Sequence, residues 1–271
     1  MILKRISAVI LAFFVFISIA FARMTVSFVA VGQGDSEFIV LPSGKNVLID
    51  AGPKRNVAKL KAFLDSRSIK SIDYLVLSHP DEDHFGGMGY VFKQYKVKNF
   101  YDTRKVKQNA NAVRTLARLE PGCSINYPEE NTTLSWDPQV KVEVLSAYKT
   151  NSPSATSVNN ASIVLKLTYK DESILFTGDI DTRVENYLIN KYGAGLSSDV
   201  LKVSHHGSKH ASSKTFLDQV KPKSSYIEVD ADDSLAIRYG HPAPGTLHRL
   251  LDSGSKVYRT DTGGTLEYVI P

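Results

Sequence analysis

The feature of this sequence that most limits its fold is a dense group of metal-binding side chains at positions 79–84, which read HPDEDH. Its candidate ligands are His79, Asp81, Asp83 and His84. An apolar strand pattern at 74–77 precedes the group and two glycines follow it, so the four side chains must project from one loop into a common volume. Imidazole and carboxylate ligands together suit zinc, manganese or iron, and the lack of thiolates argues against a purely structural zinc site. The group therefore predicts a metal centre at the end of a strand and disfavours a solvated acidic turn.

The N-terminus has the three parts of a secretory signal. Lys4 and Arg5 precede an apolar run over 6–20, and AFA at 20–22 matches the small-x-small pattern that signal peptidase cleaves. We therefore expect residues 1–22 to be a signal peptide and the mature chain to be secreted or periplasmic, without a stable membrane span. The alternative is an uncleaved anchor, which is disfavoured because the run is shorter than the roughly 20 apolar residues that cross a bilayer.

Length and charge fit a single globular domain without a strong preference for nucleic acid. The chain has 271 residues, and no low-complexity linker divides it after the signal, so residues 23–271 are predicted to form one domain. The polar segment 150–159 is predicted to be a loop or a mobile flap. The formal charge is +5, and removal of Lys4 and Arg5 lowers it further. So small an excess does not indicate an extended basic track for nucleic acid.

The order of strand and helix patterns indicates an α/β fold built in layers. Strand patterns joined by tight turns come first, strands alternating with helices follow, and this order occurs twice. The predicted strands are 24–31, 37–41, 47–50, 74–77, 140–146, 162–169, 173–177, 200–203, 225–229, 256–258 and 265–269. The predicted helices are 57–67, 109–119, 182–192, 213–220 and 244–251.

Further polar residues follow other predicted strands. Asp50 ends the strand at 47–50, Asp179 follows the strand at 173–177, and His205 and His206 follow the strand at 200–203. A further histidine, His241, stands in the sequence YGHP. A single aspartate after a strand is more often a turn or helix cap than a ligand. Because polar residues follow several predicted strands, we expect these side chains to meet the group at 79–84 along one edge of the sheets.

Together these segments resemble the metallo-β-lactamase superfamily, whose signature is His-x-His-x-Asp-His followed by later Asp and His ligands. They are most similar to the hydrolase-like domain of ComEC-type DNA-uptake proteins. The matching segments are VGQGDS at 31–36, LIDAG at 48–52, LSHPDEDHFGG at 77–87, NNASIVL at 159–165, TGD at 177–179, SHHGS at 204–208, YGHP at 239–242 and RTD at 259–261. The resemblance covers nearly all of the mature chain and implies a four-layer αββα sandwich with metals at one edge.

The resemblance implies a centre for two divalent metal ions, Zn²⁺ or Mn²⁺. His79 and Asp81 would hold one ion, and Asp83 and His84 would hold the second. Asp179 would bridge the two ions. Such a pair generates hydroxide at neutral pH and clamps the attacking and leaving oxygens.

Other residues are implied to complete the centre. One histidine of the pair His205 and His206 would complete the second metal position. His205 is named as the candidate ligand, and the choice between the two stays open. Asp83, His206 and His241 are the candidate catalytic residues, and the two histidines would stabilise developing charge or protonate the leaving group. Asp50 would orient a ligand histidine from behind, as metal-bound imidazoles usually require.

The sequence departs from the family pattern at several positions. Asp81 stands where most of the superfamily has histidine, which makes the first metal position richer in oxygen and favours manganese beside zinc. The family's third motif corresponds to residues 159–162 of this chain. This segment has no histidine and carries Asn159, Asn160 and Ser162. Ala30 and Ile237 replace an acidic residue and an asparagine that are usual in ComEC-type domains. The departures at 81 and at 159–162 disfavour a lactamase.

These observations lead us to expect an exported metal-dependent phosphodiesterase or nuclease. It would act on DNA or other phosphodiesters through a metal-bound hydroxide. One alternative is the hydrolysis of another ester, lactone or lactam, since one fold serves many reactions. A second is a non-catalytic accessory protein of DNA uptake, which the missing histidine of the third motif favours and the intact ligands disfavour.

Overall fold

A computed structural model describes residues 22–271 of the chain. The predicted signal peptide, residues 1–22, lies outside the described residues except for Ala22. The strands are β1 (Met24–Phe28), β2 (Glu37–Val40), β3 (Asn46–Ile49), β4 (Ser71–Leu77), β5 (Lys96–Asp102), β6 (Ser124–Asn126), β7 (Thr133–Asp137), β8 (Val140–Ser146), β9 (Val164–Tyr169), β10 (Glu172–Phe176), β11 (Val200–Lys202), β12 (Ser224–Ile227), β13 (Lys256–Arg259) and β14 (Leu266–Ile270).

Short helices connect many of these strands. The α-helices are α1 (Val57–Ser66), α2 (Glu82–Phe85), α3 (Met88–Gln94), α4 (Asn111–Leu119), α5 (Thr182–Tyr192), α6 (Lys214–Val220), α7 (Ser234–Tyr239), α8 (Pro244–Asp252) and α9 (Thr260–Gly263). The 3₁₀ turns are Lys54–Asn56, Gln108–Ala110, Pro153–Ala155, Asn159–Ala161, Gly193–Leu196 and Ser204–Gly207. Within residues 22–271, no helix combines the length and the apolar character needed to cross a membrane.

The strands form two seven-stranded mixed sheets. The first sheet has the order β14-β1-β2-β3-β4-β5-β6, and the second has the order β13-β12-β11-β10-β9-β8-β7. The sheets pack face to face over an aromatic core, in which Phe28 and Tyr226 stack with ring centroids 4.2 Å apart. Tyr74 and Trp136 stack at 5.4 Å in the same core. Burial of this aromatic surface is a large favourable contribution to folding and holds the sheets together.

Helices cover the outer face of each sheet. Leu60 and Leu64 of α1 are buried one helical turn apart and join Val113 of α4 in the apolar cluster of the first sheet. Leu188 of α5 and Phe216 of α6 are buried in the corresponding cluster of the second sheet. The layers are therefore helix, sheet, sheet and helix, and the predicted four-layer αββα sandwich is confirmed.

Parallel strands bring the polar loops to one edge of the sandwich. β3 and β4 pair in parallel in the first sheet, and β10, β11 and β12 pair in parallel in the second. Asp50 follows β3, residues 79–84 follow β4, Asp179 follows β10, and residues 205–206 follow β11. Because the carboxyl ends of parallel strands gather at the same edge of a sheet, these loops meet there.

Candidate metal centre

The loop after β4 is held tightly against the loop after β3. Ala51 N donates to His84 O at 2.8 Å, and Gly87 N donates to Gly52 O at 2.9 Å. A side chain at Gly87 would clash with the Ala51 carbonyl, so only glycine permits this approach. The single turn of α2 then presents Asp83 and His84 from a fixed backbone.

Asp179 lies at the centre of four imidazoles. Its Oδ2 is 3.3 Å from His84 Nε2. The same oxygen is 3.7 Å from Nε2 of both His205 and His206, and 3.9 Å from His79 Nε2. A carboxylate oxygen that faces four ring nitrogens has the arrangement of a ligand shared between two metal positions.

Several buried atoms of this group fit a metal. Nε2 of His79, Nε2 of His84 and Oδ1 of Asp179 are buried without a hydrogen-bond partner among the described residues. A buried nitrogen or oxygen left unpaired is costly, and a divalent cation would satisfy it. One ligand atom each from His79, His84 and Asp179 can be chosen so that all lie within 4.8 Å of one another.

Two further carboxylates pair with histidines beside Asp179. His79 Nε2 is 3.6 Å from Asp81 Oδ2, and His206 Nε2 is 3.2 Å from Asp83 Oδ2. The four side chains therefore divide into a His79–Asp81 position and an Asp83–His206 position, with Asp179 within reach of both histidines. This division matches a centre with two metal positions.

The two adjacent histidines reach the site through an unusual backbone turn. His205 and His206 both have φ of 51°, the left-handed region. His206 is buried, and its Nδ1 lies 2.8 Å from the Glu228 carbonyl oxygen. This contact orients the ring so that Nε2 faces Asp83. The side chain of His205 is 29% exposed, and its Nε2 lies 3.5 Å from Asn159 Nδ2. The geometry thus favours His206 as the partner of Asp83 and leaves His205 on the side of the third motif.

Asp50 lies behind the group and contacts His84. Its Oδ2 is 2.7 Å from His84 Nδ1, and its Oδ1 accepts a hydrogen bond from Ser78 N at 2.9 Å. Asp50 is buried and has φ of 54°, a conformation that costs energy for a non-glycine residue. The contact fixes the ring so that Nε2 of His84 faces Asp179.

Removal of this contact gives a testable prediction. Asp50→Asn keeps an oxygen acceptor but loses the carboxylate that holds His84 Nδ1–H, so metal affinity should fall about 10- to 100-fold. Competition with a chromophoric chelator measures it. Asp73→Asn, at the opposite end of β4, is the matched control and should leave metal affinity unchanged. Equal affinities for Asp50→Asn and the unaltered chain would contradict the positioning role.

The third-motif segment lies beside His79 although it carries no histidine. Ser162 Oγ is 3.3 Å from His79 Nδ1 and accepts a hydrogen bond from Asp179 N at 3.0 Å. Asp81, which replaces the usual histidine, is paired through Oδ1 with the ammonium of Lys107. Lys107 was not among the predicted site residues, because a lone lysine in a loop gives no sequence signal.

Sequence reasoning also missed a buried ion pair below the histidines. Lys202 of β11 is fully buried, and its Nζ contacts Asp35 Oδ2 and lies 3.9 Å from Asp179 Oδ1. Burial alone would lower the pKa of this lysine, but Asp35 and Asp179 outweigh it and raise the pKa. Glu37 and Glu228 are buried beside Asp35, with one oxygen from each of the three within 4.8 Å of the others. The signal that could have revealed Lys202 is its place in an otherwise apolar strand, LKV.

The charges around Asp179 set the protonation of the metal-free centre. Burial would raise the pKa of Asp179, but the imidazoles, led by His84, hold it well below its usual value. Burial would lower the pKa of His206, but Asp179 and Asp35 raise it to about 10. At His84, too, burial would lower the pKa, but Asp179 and Asp35 raise it well above its usual value. Both imidazoles are therefore protonated at pH 7 without metal.

This protonation predicts how metal binding depends on pH. Metal must displace the protons of His84 and His206, so we expect at least about two protons to leave per loaded chain at pH 7 and affinity to rise with pH. In the metal-free protein, the raised pKa of His206 stabilises the fold below about pH 6.5, and that contribution is lost as the pH rises through about 10. Calorimetry in buffers of different ionisation enthalpy counts the protons. Zero release at pH 7 would show that the imidazoles are neutral.

His241 lies beside the histidine pair without joining the metal positions. Its ring centroid is 5.2 Å from that of His205 and 6.0 Å from that of His206. Gln33 Nε2 lies 3.5 Å from His241 Nδ1. Burial, with the neighbouring His206 and His205, lowers the pKa of His241 to about 4, so the ring is neutral at pH 7. A neutral imidazole can donate a hydrogen bond to a substrate oxygen.

A cleft of about 630 Å³ opens above these side chains. Asp179, His205, His206 and His241 form part of its floor and wall. Its lining also includes the exposed cations Lys209 and Arg238 and, paired with Asp81, Lys107. The departures at Ala30 and Ile237 do not lie among these lining residues. The cleft thus combines a carboxylate- and imidazole-rich floor with a cationic rim suited to an anionic substrate.

Comparison with known proteins identifies the family. Residues 29–227 match the family model described as the metallo-β-lactamase superfamily. The chain therefore belongs to the metallo-β-lactamase superfamily. The crystal structure of YhfI from Bacillus subtilis, a metallo-β-lactamase fold protein, has a TM-score of 0.58 at 12% identity and covers 91% of this chain and 100% of that one. That likeness shows the fold alone.

The predicted ComEC-type resemblance is confirmed by sequence relatives. ComE operon protein 3 of Bacillus subtilis (strain 168) is 30% identical in an alignment of 261 residues that covers 90% of this chain and 32% of that protein. Competence protein ComA of Neisseria gonorrhoeae is 30% identical over 238 residues, which are 88% of this chain and 31% of that protein. The chain thus spans about a third of the length of these relatives.

Proposed function

We propose that this protein is a metal-dependent phosphodiesterase or nuclease. The observation that carries the proposal is the placement of Asp179 among four imidazoles, beneath a cleft with a cationic rim. Two divalent cations, Zn²⁺ or Mn²⁺, would supply hydroxide at neutral pH and neutralise the charge that develops on a phosphodiester. Similarity to competence proteins supports DNA as the substrate.

The distances support a particular division of ligands. His79 and Asp81 would hold the first ion, and His205, which lies on the same side as Asn159, would supply the imidazole that the third motif lacks. Asp83, His84 and His206 would hold the second ion. Asp179 would bridge the two positions. The division makes both adjacent histidines ligands.

The chain's own residues would bind and orient the substrate. Lys209 and Arg238 on the rim would contact phosphate oxygens, which attract arginine and lysine without regard to base sequence. His241, neutral at pH 7, would donate a hydrogen bond to a phosphodiester oxygen. Asp50 would hold His84, and Glu228 through its carbonyl would hold His206, so that both rings keep their orientation during the reaction.

Metal add-back tests this function. The metal-stripped protein is incubated with single- and double-stranded DNA, bis(p-nitrophenyl) phosphate and a β-lactam, and Mn²⁺ or Zn²⁺ is then added. Metal-restored cleavage of the phosphodiesters, lost in Asp83→Ala, is the expected result. Turnover of the β-lactam alone would favour the lactam alternative. No turnover together with no bound metal would favour a non-catalytic accessory protein. The missing histidine of the third motif supports that alternative.

We also propose that the protein is exported after cleavage following Ala22. The pattern at residues 1–22 supports this proposal. Expression of the full sequence, followed by N-terminal sequencing of the protein outside the cytoplasm, should give Arg23 as the first residue. An intact Met1 on a membrane-bound protein would favour the anchor.

A further inference from the structure

Helix α7 presents two side chains to the cleft, Leu235 and Tyr239, that the proposed chemistry does not use. Leu235, Arg238 and Tyr239 line the cleft, and Tyr239 is 59% exposed. Ala236 is the buried residue of this helix, so the core does not require the tyrosine ring. An aromatic ring that is exposed inside a cleft is available to stack on a ligand.

The helix is fixed relative to the centre by contacts at both ends. At its start, Asp233 accepts a hydrogen bond from Leu235 N at 2.9 Å and pairs with Arg55 at 2.9 Å. At its end, His241 N donates to Ala236 O at 2.9 Å. Since His241 belongs to the wall of the centre, these contacts hold the end of α7 against the metal positions.

A row of rings leads from the rim to the proposed second metal position. The ring centroid of Tyr239 is 5.9 Å from that of His241, which is 6.0 Å from that of His206. The guanidinium of Arg238 lies 6.0 Å from the centre of the Tyr239 ring. A flat ring beside a cation, near a site for phosphodiester cleavage, suits a base stacked on the ring and a phosphate held by the cation.

We propose that Tyr239, with Arg238 and Leu235, forms a stacking subsite for an unpaired nucleobase next to the phosphodiester that the centre cleaves. This inference rests on the proposed function and narrows its substrate to single-stranded nucleic acid. Bases of a duplex are stacked on each other and reach the ring only after unpairing, which costs energy. Stacking on an aromatic ring tolerates all bases, so the subsite gives strand selectivity without sequence selectivity.

Equilibrium binding tests the subsite separately from cleavage. Fluorescence anisotropy with EDTA present measures the Kd of the purified protein for a labelled oligothymidylate and for an abasic oligomer of the same length and charge. The unaltered protein should prefer the oligothymidylate. Tyr239→Ala should raise the Kd for the oligothymidylate roughly tenfold or more, the effect expected for one stacked base. It should leave the Kd for the abasic oligomer unchanged.

Two control variants separate stacking from general damage to the helix. Tyr239→Phe keeps the ring and should bind as the unaltered protein does. Ile237→Ala removes a side chain that is 66% exposed on the same helix but does not line the cleft, and it should have no effect. Equal affinity of the unaltered protein for both oligomers, or an equal loss on both in Tyr239→Ala, would overturn the subsite.

The outcomes also distinguish the subsite from the proposed function. Metal-restored cleavage of the oligothymidylate, with no effect of Tyr239→Ala on its Kd, would leave the phosphodiesterase standing and remove the subsite. A base-dependent effect of Tyr239→Ala without cleavage of any phosphodiester would leave a single-strand binding site and remove the phosphodiesterase.

Discussion

Replacement of Asp179 by asparagine is expected to lower metal affinity by at least about 100-fold. Loss of a side chain that only orients a metal ligand already costs up to that much. Asp179 Oδ2 is the oxygen that four imidazoles share, and an amide nitrogen or a neutral oxygen is a poor substitute for it. Phosphodiester cleavage should fall in parallel with the loss of metal. Metal content after dialysis and the rate of bis(p-nitrophenyl) phosphate hydrolysis are the two measurements.

The same substitution should also destabilise the metal-free protein. Because the pKa of Asp179 is held well below its usual value, its ionisation stabilises the fold above about pH 4, and this contribution is lost as the pH falls. Asp181→Asn is the matched control, since Asp181 caps α5 and asparagine is an equally good cap. An Asp179→Asn protein that retains two metals would contradict the bridging role.

The second large effect is expected from Lys202→Met. The substitution leaves Asp35 buried beside Glu37 and Glu228 without its ammonium partner, and loss of one partner of a buried ion pair costs about 3–5 kcal/mol. Guanidinium chloride unfolding with EDTA present measures the free energy of unfolding of the metal-free protein. The double variant Lys202→Met, Asp35→Asn removes both charges of the pair and should recover part of the loss.

A surface lysine provides the comparison for Lys202. Lys214 is exposed and pairs with Asp218 one turn away on α6, so Lys214→Met should change the free energy of unfolding by less than about 1 kcal/mol. Similar effects of the two lysine substitutions would show that the buried pair makes no special contribution.

The meeting of the candidate ligands at one edge was predictable because they are polar residues that follow apolar strands. The group at 79–84 and the later Asp179 and His206 stand out against the strand patterns before them, and parallel pairing brings them to one edge. Lys202 was missed for the opposite reason. Its side chain lies inside a strand and is fully buried, and no pattern of single residues shows that Asp35 is placed to neutralise it.

The strand β5 was missed because its sequence is rich in polar residues. β5 begins with the exposed lysines Lys96 and Lys98, which hide its pairing with β4. The predicted strand at 24–31 ends early at Phe28, because the backbone then turns and Gly32 adopts φ of 94°. Such turns depend on contacts that form only in the folded protein.

Helix α7 shows what sequence patterns alone leave out of the site. Its six residues contain one buried position, so no apolar face predicts it. The placement of Tyr239 at the cleft follows from the contacts of Asp233 and His241. The polar segment 150–159, predicted as a loop or mobile flap, contains the 3₁₀ turn Pro153–Ala155 and leads to Asn159 at the cleft wall.

The most direct test of this account is a count of metal ions per chain. The metal-stripped protein is equilibrated with Mn²⁺ or Zn²⁺, freed of unbound metal and examined by elemental analysis against protein concentration. A two-metal centre predicts two ions per chain for the unaltered protein. An unaltered protein that retains no metal under either condition would contradict a two-metal centre.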